Sequence, residues 1–337
     1  MKYTFFYIIA FSLSFSHITQ ASQEPSLNQL LKRLSELESA IAHTQQSHTL
    51  NNLHISGLME VEANHIENSS ETESPTNNTH LATFELAMLA PINQHTQAEI
   101  TFLYEEQDTP FEVDSAVIAA SLNSNFNITM GQIYLPFGTF ETHQVNDTLA
   151  LEIAEIRHSA LMTNYESNGF KALAYVFANE AGKLNQFGMR VGFQNQFINL
   201  TADYLNNALN SEAFKTLIET DESFINVNDT PAICLQLSAQ ISNTTIQAEH
   251  LAIDSFNELT LSASQLEVSY HFTTSSLAIA FQQTQDAQHL DLPQKRASLS
   301  AAMELLPNTG LAVEVWKDTN KDSRNSNNLV VQAAVKF

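Results

Sequence analysis

The chain has 337 residues and a formal charge of −23, from 14 Lys+Arg against 37 Asp+Glu. This acidic excess disfavours nucleic acid as a partner, because phosphate binding depends on clustered Lys and Arg. Only 8 glycines are present, against a usual frequency of ~7%, which argues against a Rossmann or P-loop enzyme. With 43% hydrophobic but only 15% charged residues, the composition is typical of a β-barrel that is polar inside and apolar outside.

Residues 1–21 have the pattern of a secretory signal peptide. Lys2 precedes the apolar run TFFYIIAFSLSF, and the small residues Thr19 and Ala21 stand at positions −3 and −1 of a cut after Ala21. The alternative is a membrane anchor. We therefore expect an exported protein that begins, when mature, at residue 22.

The remaining chain offers neither a disulfide nor a spanning helix. Cys234 is the single cysteine, so no intrachain disulfide is possible. It lies in an alternating run, AICLQLSAQ, that contains no activating partner for a catalytic thiol. Beyond residue 21 no stretch of 18 apolar residues occurs, so the sequence predicts no membrane-spanning helix.

Residues 22–50 are predicted to form a periplasmic coiled-coil helix and a linker. The apolar residues of the segment SLNQLLKRLSELESAIAHTQQ follow the spacing of a coiled-coil seam. About two heptads are too short to be stable alone. Self-association, docking on the following domain and a solvated tether all remain open. The seam consists of Leu27, Leu30, Leu34, Leu37 and Ile41.

After His48 the hydrophobic pattern changes to a period of two, which is typical of strands with one apolar and one polar face. The first such run alternates Ile55, Met59 and Val61 with Glu60 and Glu62. Similar runs recur as far as the terminal Phe337, and about ten residues suit a tilted strand that crosses a bilayer. The sequence therefore predicts an all-β transmembrane antiparallel barrel over residues 51–337.

Short and long connections alternate along this region, as they do between the periplasmic turns and external loops of outer-membrane barrels. The alternation is consistent only if IRHSALMTNY, residues 156–165, is a strand. The predicted barrel then has about sixteen strands, with both termini in the periplasm. Residues 136–155 are predicted to form one of its external loops. A soluble β-sandwich or propeller is the alternative architecture.

If the apolar face of each strand meets lipid, the polar face lines the lumen. Ten acidic residues then face inward against the basic Arg190, Arg296 and Lys336. Confined carboxylates attract cations and repel anions, although these positions are equally consistent with a wide solvated channel. The acidic members, predicted with Arg190 and Arg296 as candidate solute contacts, are Glu60, Glu62, Glu85, Glu99, Glu105, Asp203, Glu249, Glu267, Glu304 and Glu314.

The sequence gives no indication of an enzyme. His54, Ser56 and Glu60 share a strand face, but same-face neighbours are nearly ~7 Å apart and do not hydrogen-bond directly. Neither HExxH nor CxxC is present. We therefore predict no catalytic residue, no metal site and no cofactor.

Several segments resemble the LbtU-type siderophore porins, which are outer-membrane barrels associated with uptake of the ferric siderophore legiobactin. The resemblance covers the first half of the barrel closely and the second half loosely, and GQIYLPFGTFET is its most specific part. It implies a receptor or porin without a plug domain. The Asn/Ser-rich loops depart from the family. The segments are SGLMEVEAN (56–64), LATFELAMLA (81–90), LYEEQDTPFEVDSAVIA (103–119), GQIYLPFGTFETHQVNDTLALEIAEIRHSAL (131–161) and NGFKALAYVFA (168–178).

Three functions follow as hypotheses: uptake of a ferric siderophore, diffusion of cations, and a structural role with a periplasmic contact. The predicted partners are a ferric siderophore or small solute, outer-membrane lipid, and the barrel-assembly machinery, with Phe337 as its signal; a homo-oligomer is also possible. An acidic lumen would repel a siderophore that carries carboxylate groups. Either the loops with Arg157, Arg190 and Arg296 contact the ligand, or the solute is neutral or cationic.

Overall fold

The computed structural model describes residues 53–68, 75–106, 108–179, 182–220, 229–256, 259–320 and 325–337. The chain divides into two units, Met1–His48 and Thr49–Phe337, and all described residues belong to the second. The proposed signal peptide and the coiled-coil seam lie outside the described residues, so both stay predictions.

The second unit is a closed antiparallel barrel of sixteen strands, as predicted. Each strand pairs with its neighbours in chain order, and β1 pairs with β16 to close the barrel. Gly57 and Phe337 exchange two backbone hydrogen bonds, of 2.8 and 3.0 Å, at this seam. Closure leaves no sheet edge unpaired. The strands are β1 (His54–Asn68), β2 (Thr76–Pro91), β3 (Thr96–Tyr104), β4 (Glu112–Ser121), β5 (Phe126–Tyr134), β6 (Arg157–Ser167), β7 (Phe170–Ala178), β8 (Leu184–Gln194), β9 (Ile198–Leu205), β10 (Ala232–Ile241), β11 (Thr244–Phe256), β12 (Leu259–His271), β13 (Ser275–Gln285), β14 (Lys295–Leu306), β15 (Thr309–Thr319) and β16 (Ser326–Lys336).

One end of the barrel has only short turns and the other has the longer connections. The β11–β12 connection is an exception, because β11 extends to Phe256 and β12 begins at Leu259, so the longer connection predicted at residues 253–262 was wrong. The strand predicted at residues 156–165 exists as β6, which confirms the argument from alternation. The β6–β7 turn uses Asn168 and Gly169, whose φ angles of +52° and +83° favour these residue types. The first long connection is shorter than predicted, because β1 extends to Asn68 and β2 begins at Thr76.

The strands form because their side chains alternate between two environments. On β13, Leu277, Ile279 and Phe281 are exposed outside, whereas Ala280 and Gln282 are buried inside. The same alternation on the other strands gives the barrel an exposed apolar belt, the surface expected of a barrel in a bilayer. Among the described helices, none has the length and apolarity needed to cross a membrane.

The interior is not polar throughout, which corrects the sequence prediction. Near the long connections, inward side chains of the β9–β12 wall form an apolar core that includes Leu251, Ile253 and Leu261. This core is covered by α1 (Leu149–Ala154) and α2 (Glu212–Thr220). Amphipathic helices bury their apolar faces on such a surface, so one side of the lumen is filled. Two short 3-10 helices, Ala208–Asn210 and Gln288–Leu290, complete the connections.

Candidate functional site

The connection between β5 and β6, residues 135–156, folds into the barrel and is here called the internal loop. Its ends are joined by a 2.8 Å hydrogen bond from the Leu135 N–H to the Ile156 carbonyl. The loop turns inward at Gly138, whose φ of +75° is in the region that favours glycine. The prediction of an external loop was therefore wrong here. Phe137 and Ile153 are buried in the interior core, and this apolar content holds the loop inside.

Four acidic side chains of the barrel wall bind the internal loop, and we call them the clamp carboxylates. They come from strands β9, β11, β12 and β15, in the order in which the loop passes them. They accept hydrogen bonds from loop backbone N–H groups that would otherwise be unpaired in the interior. The clamp carboxylates are Asp203, Glu249, Glu267 and Glu314.

Glu249 and Glu314 each accept two backbone hydrogen bonds. The Glu249 oxygens accept the N–H groups of Thr139 and Phe140, both at 2.9 Å. One oxygen of Glu314 accepts the N–H groups of Val145 and Asn146, at 2.7 and 2.9 Å. A carboxylate can accept several such bonds at once, whereas a neutral amide offers a single oxygen. At Glu249, where both oxygens bind the loop, a glutamine could not replace both bonds.

Glu267 is fully buried and binds the middle of the internal loop. Its oxygens accept bonds from the Thr142 hydroxyl at 2.6 Å and the His143 N–H at 2.9 Å. The His143 ring nitrogen Nδ1 lies 2.7 Å from the same carboxylate. This hydrogen bond raises the pKa of His143, so the protonated ring is favoured beside the anion. Ser300 donates to the His143 carbonyl at 2.8 Å.

The predicted solute contacts thus divide into two groups. The clamp carboxylates face the lumen, but the internal loop covers them. Sequence reasoning missed this cover, although a signal was present: Thr148 precedes the apolar LALEIA as a helix N-cap, which is unusual in an external loop. Of the other predicted candidates, Arg190 and Arg296 also bind the internal loop, whereas within the described part of the chain Glu60, Glu62, Glu85, Glu99, Glu105 and Glu304 are not among its hydrogen-bond partners.

The lumen arginines are paired with carboxylates, so little positive charge faces the solute. Arg190 Nε donates to Asp203 at 2.6 Å. Arg296 Nε donates to Asp318 at 2.9 Å, and its guanidinium also lies 3.5 Å from Glu152. Both arginines also donate to carbonyls of the internal loop. They therefore act with the clamp in holding the loop.

Arg157 is paired as well, at the long-connection end. Its Nη1 donates to Glu112 at 2.6 Å and to Asp114 at 3.2 Å. The Tyr134 hydroxyl also donates to Asp114, at 2.7 Å. Arg157 is therefore engaged by the wall and is not an open anion contact.

The clamp carboxylates come from β9, β11, β12 and β15, and not from β1–β3 or β16. We call the space between the internal loop and the inward face of β1–β3 and β16 the passage, and this inward face is acidic. The strand register places Glu85 opposite Leu58, on the face that also carries Glu60 and Glu62. Glu99 pairs with Leu89, which lies on the same face. Gln332 of β16 donates to Glu62 at 3.0 Å. Glu105 follows β3 and accepts the Thr109 hydroxyl at 2.6 Å.

The internal loop adds its own carboxylates to this passage. Asp147 is exposed, but desolvation by the surrounding protein raises its pKa, and the charges of Glu105 and Glu62 add to the rise. Burial, together with the charges of Glu212, Asp147 and other acids, raises the pKa of Glu155 to about 7. Acidic groups therefore face each other across the passage, a geometry that stabilises positive charge between them.

At the short-turn end the passage opens into a cavity of about 570 Å³. Glu60, Glu304, His271 and Lys336 line it together with hydroxyl groups of the turn residues. Among the described residues that line this cavity, Lys336 is the one lysine or arginine. Within the described ranges, no three His, Cys, Asp or Glu side chains are arranged to hold a metal ion.

No family model matches the chain. One curated relative, a "UPF0422 protein" of Coxiella burnetii (strain RSA 493 / Nine Mile phase I), is 24% identical over 225 residues. The match covers 58% of this chain and 48% of that protein. The chain therefore spans about half the length of the curated relative it matches.

Solved structures of porins are similar to the barrel. Salmonella typhi OmpF, solved in complex with daunomycin, gives a TM-score of 0.64 at 11% identity, covering 85% of this chain and 97% of that one. The anion-selective porin from Comamonas acidovorans gives 0.63 at 10% identity, covering 85% and 99%. Pseudomonas putida OprB gives 0.63 at 8%, covering 88% and 97%. At these identities the likeness shows a shared fold.

Proposed function

We propose that the protein is an outer-membrane porin that passes small solutes and prefers cations. The observation that carries this proposal is the division of charge in the lumen. The lumen arginines are paired with carboxylates, whereas the passage retains Glu60, Glu62, Glu85, Glu99 and Glu105 on the wall. We also propose that the short-turn end and both termini lie in the periplasm, because periplasmic turns are the short ones in such barrels.

Carboxylates lie on both sides of the passage, on the wall and on Asp147 and Glu155 of the internal loop. The internal loop, which includes α1, occupies part of the lumen together with α2. A solute in the passage therefore has protein on both sides. Field lines concentrate in a confined acidic channel with low-dielectric walls, which raises the local concentration of cations. A cation is therefore favoured in this channel, while an anion meets repulsion from both the wall and the loop.

The similar structures support a channel. They do not indicate whether it prefers cations or anions, which depends on the side chains in the lumen. One of them is described as anion-selective, yet its barrel is similar to this one. Fold alone does not decide function, which depends on the groups placed in the lumen. In this chain those groups are carboxylates, so the proposal rests on charge and not on the barrel.

Reversal potential in a planar bilayer tests the proposal. With purified protein between two KCl solutions of unequal concentration, we expect a potential whose sign reports K⁺ permeating faster than Cl⁻. Raising the ionic strength should weaken the preference for K⁺, because added salt shortens the distance over which exposed charges act. A channel that prefers Cl⁻, or the absence of conductance under all conditions, would exclude the proposal.

Ferric-siderophore uptake is the second candidate. The segment 131–161, which carries the most specific sequence resemblance to LbtU-type siderophore porins, coincides with the end of β5, the internal loop and the start of β6. The resemblance is therefore concentrated in the loop that shapes the passage. An acidic passage favours a ferric complex of neutral or positive charge over a carboxylate one.

Conductance block distinguishes the two candidates. Added ferric siderophore is expected to interrupt single-channel current if a binding site exists, and the iron-free siderophore serves as the control. Unchanged ferric-siderophore uptake by a strain that lacks the gene, together with unblocked current, would leave the diffusion porin as the function.

A further inference from the structure

A small pocket between the internal loop and the barrel wall is lined by oxygen-bearing side chains, and we call it the oxygen pocket. Strand β11 contributes Gln247 and Glu249, and β12 contributes Gln265. The strand register pairs Glu249 with Gln265 on one side and with Gln236 of β10 on the other, so these three residues form a row. Glu141 of the internal loop completes the lining.

The amide oxygen of Gln265 is buried in this pocket without a hydrogen-bond donor. The residue is 6% exposed, and its Oε1 is shielded from solvent and unpaired. Its Nε2 donates to the Glu141 carbonyl at 3.4 Å. Gln247 is also 6% exposed with no hydrogen bond to its Oε1, and its Nε2 donates to the Glu141 carboxylate at 3.3 Å. A buried polar atom without a partner is costly, so the two oxygens indicate a positively charged ligand.

The oxygen pocket suits a metal ion better than a water molecule, because the space between its side chains is too small for water. A hydrogen-bonded water oxygen lies about 2.7–2.8 Å from its partner, whereas Ca²⁺ lies about 2.3–2.6 Å from its oxygen ligands. Carboxylate and amide oxygens are ligands that Ca²⁺ takes. Glu249 Oε2 accepts the Phe140 N–H and retains a second lone pair for an ion.

We propose that the oxygen pocket binds Ca²⁺ through the carboxylates of Glu141 and Glu249 and the amide oxygens of Gln247 and Gln265. The two carboxylates balance the charge of the ion. Mg²⁺ fits less well, because it keeps several of its waters and the pocket has no room for them. Amide oxygens belong to no short metal-binding motif, which is why the sequence predicted no metal site. The proposal does not depend on the charge preference of the channel.

The surroundings of the oxygen pocket admit this ion. The hydrogen bonds from the two glutamines to Glu141 are longer than the usual 2.7–3.2 Å, so each amide can turn its oxygen toward the ion at little cost. The His143 ring interacts with Gln247, but its charge is paired with Glu267 at 2.7 Å. Glu141 is exposed, which gives the ion a path from the lumen. Bound Ca²⁺ would join the internal loop to β11 and β12.

Calorimetric titration of Ca²⁺ into the purified full-length protein tests this assignment. The protein is freed of metal with a chelator and kept in detergent and KCl, so that weak binding at surface carboxylates is screened. We expect one saturable Ca²⁺ site per chain that persists in an excess of Mg²⁺. The absence of saturable Ca²⁺ binding, or equal binding of Mg²⁺, would overturn the proposal. Because the titration measures no current, its outcome is separate from that of the proposed channel.

Two variants locate the site. Glu141→Gln should weaken Ca²⁺ binding at least about tenfold, since affinity depends on the number of charged ligands. Gln265→Met, which keeps an unbranched side chain but removes its oxygen, should weaken binding to a similar degree. The matched controls are Glu166→Gln on β6 and Gln240→Met on β10, because both residues are exposed and neither lines the oxygen pocket.

Unchanged Ca²⁺ binding in either test variant, or loss of binding in either control, would refute the site. The thermal unfolding midpoint without Ca²⁺ verifies that each variant is folded. Since Glu141 is exposed, its variant should unfold as the wild type does, so weaker binding there reports the lost ligand and not a damaged barrel.

Discussion

Replacing Glu249 and Glu267 by Gln is expected to release the internal loop from the barrel wall and to raise single-channel conductance. Each carboxylate accepts hydrogen bonds from loop groups through both of its oxygens. A glutamine presents one oxygen and an NH₂ group, which would face the loop's own donors. Each lost hydrogen bond to a charged group costs about 1.5–3 kcal/mol. The loop should therefore be held less firmly against the wall, and the protein should unfold at a lower temperature.

Single-channel recording and the thermal unfolding midpoint measure the two effects. We expect larger and noisier current steps together with a lower midpoint in the double variant. Glu166→Gln is the control: it makes the same Glu-to-Gln change once on a strand, at a side chain that is 55% exposed and lies 4.0 Å from Lys171. The clamp assignment fails if the double variant behaves as the control does.

Removing the loop charges, by Asp147→Asn with Glu155→Gln, is expected to lower the K⁺ over Cl⁻ preference several-fold while the loop stays in place. Neither side chain is a clamp carboxylate, so the wall contacts of residues 138–146 remain intact. The measurement is the reversal potential in a KCl gradient. Glu166→Gln again controls for a change of net charge outside the passage, and an unaltered potential in the double variant would contradict the role of these residues.

The same residues predict how the preference depends on pH. The pKa of Glu155 is raised to about 7, so its carboxylate is charged above that pH and becomes neutral as pH falls through it. The wild-type cation preference should therefore weaken between about pH 8 and pH 6, the range in which a group of this pKa titrates. Glu155→Gln should remove that part of the dependence. A wild-type preference that is constant over this range would oppose the assignment.

Local chemistry was sufficient to predict the barrel. A period of two in apolar residues predicted the strands, and the polar connections between these runs marked where the strands end. Strict alternation of short and long connections then required β6, which the residues alone left ambiguous. These features depend on residues within a few positions of one another along the chain. A single sequence is therefore enough to predict them.

The candidate site was less predictable, because its arrangement depends on distant contacts. An inward-facing carboxylate has the same sequence pattern whether it is half-buried beside another strand, as Glu62 is, or covered by loop backbone, as Glu249 is. The difference arises from where the internal loop lies. Inward positions such as Leu251 and Ile253 also follow the strand period, and nothing in their spacing shows that helices cover them. The period identifies two faces but does not tell what each face meets.

The order of the clamp carboxylates along the chain constrains how the barrel is assembled. Gly138 bonds to Asp203, 65 positions later, and Val145 bonds to Glu314, 169 positions later. Contacts between such distant residues form late, since much chain must be ordered before they are gained. Strand β15 must be in place before Glu314 can bind the internal loop. The lumen therefore reaches its final width only when the C-terminal strands have joined the barrel.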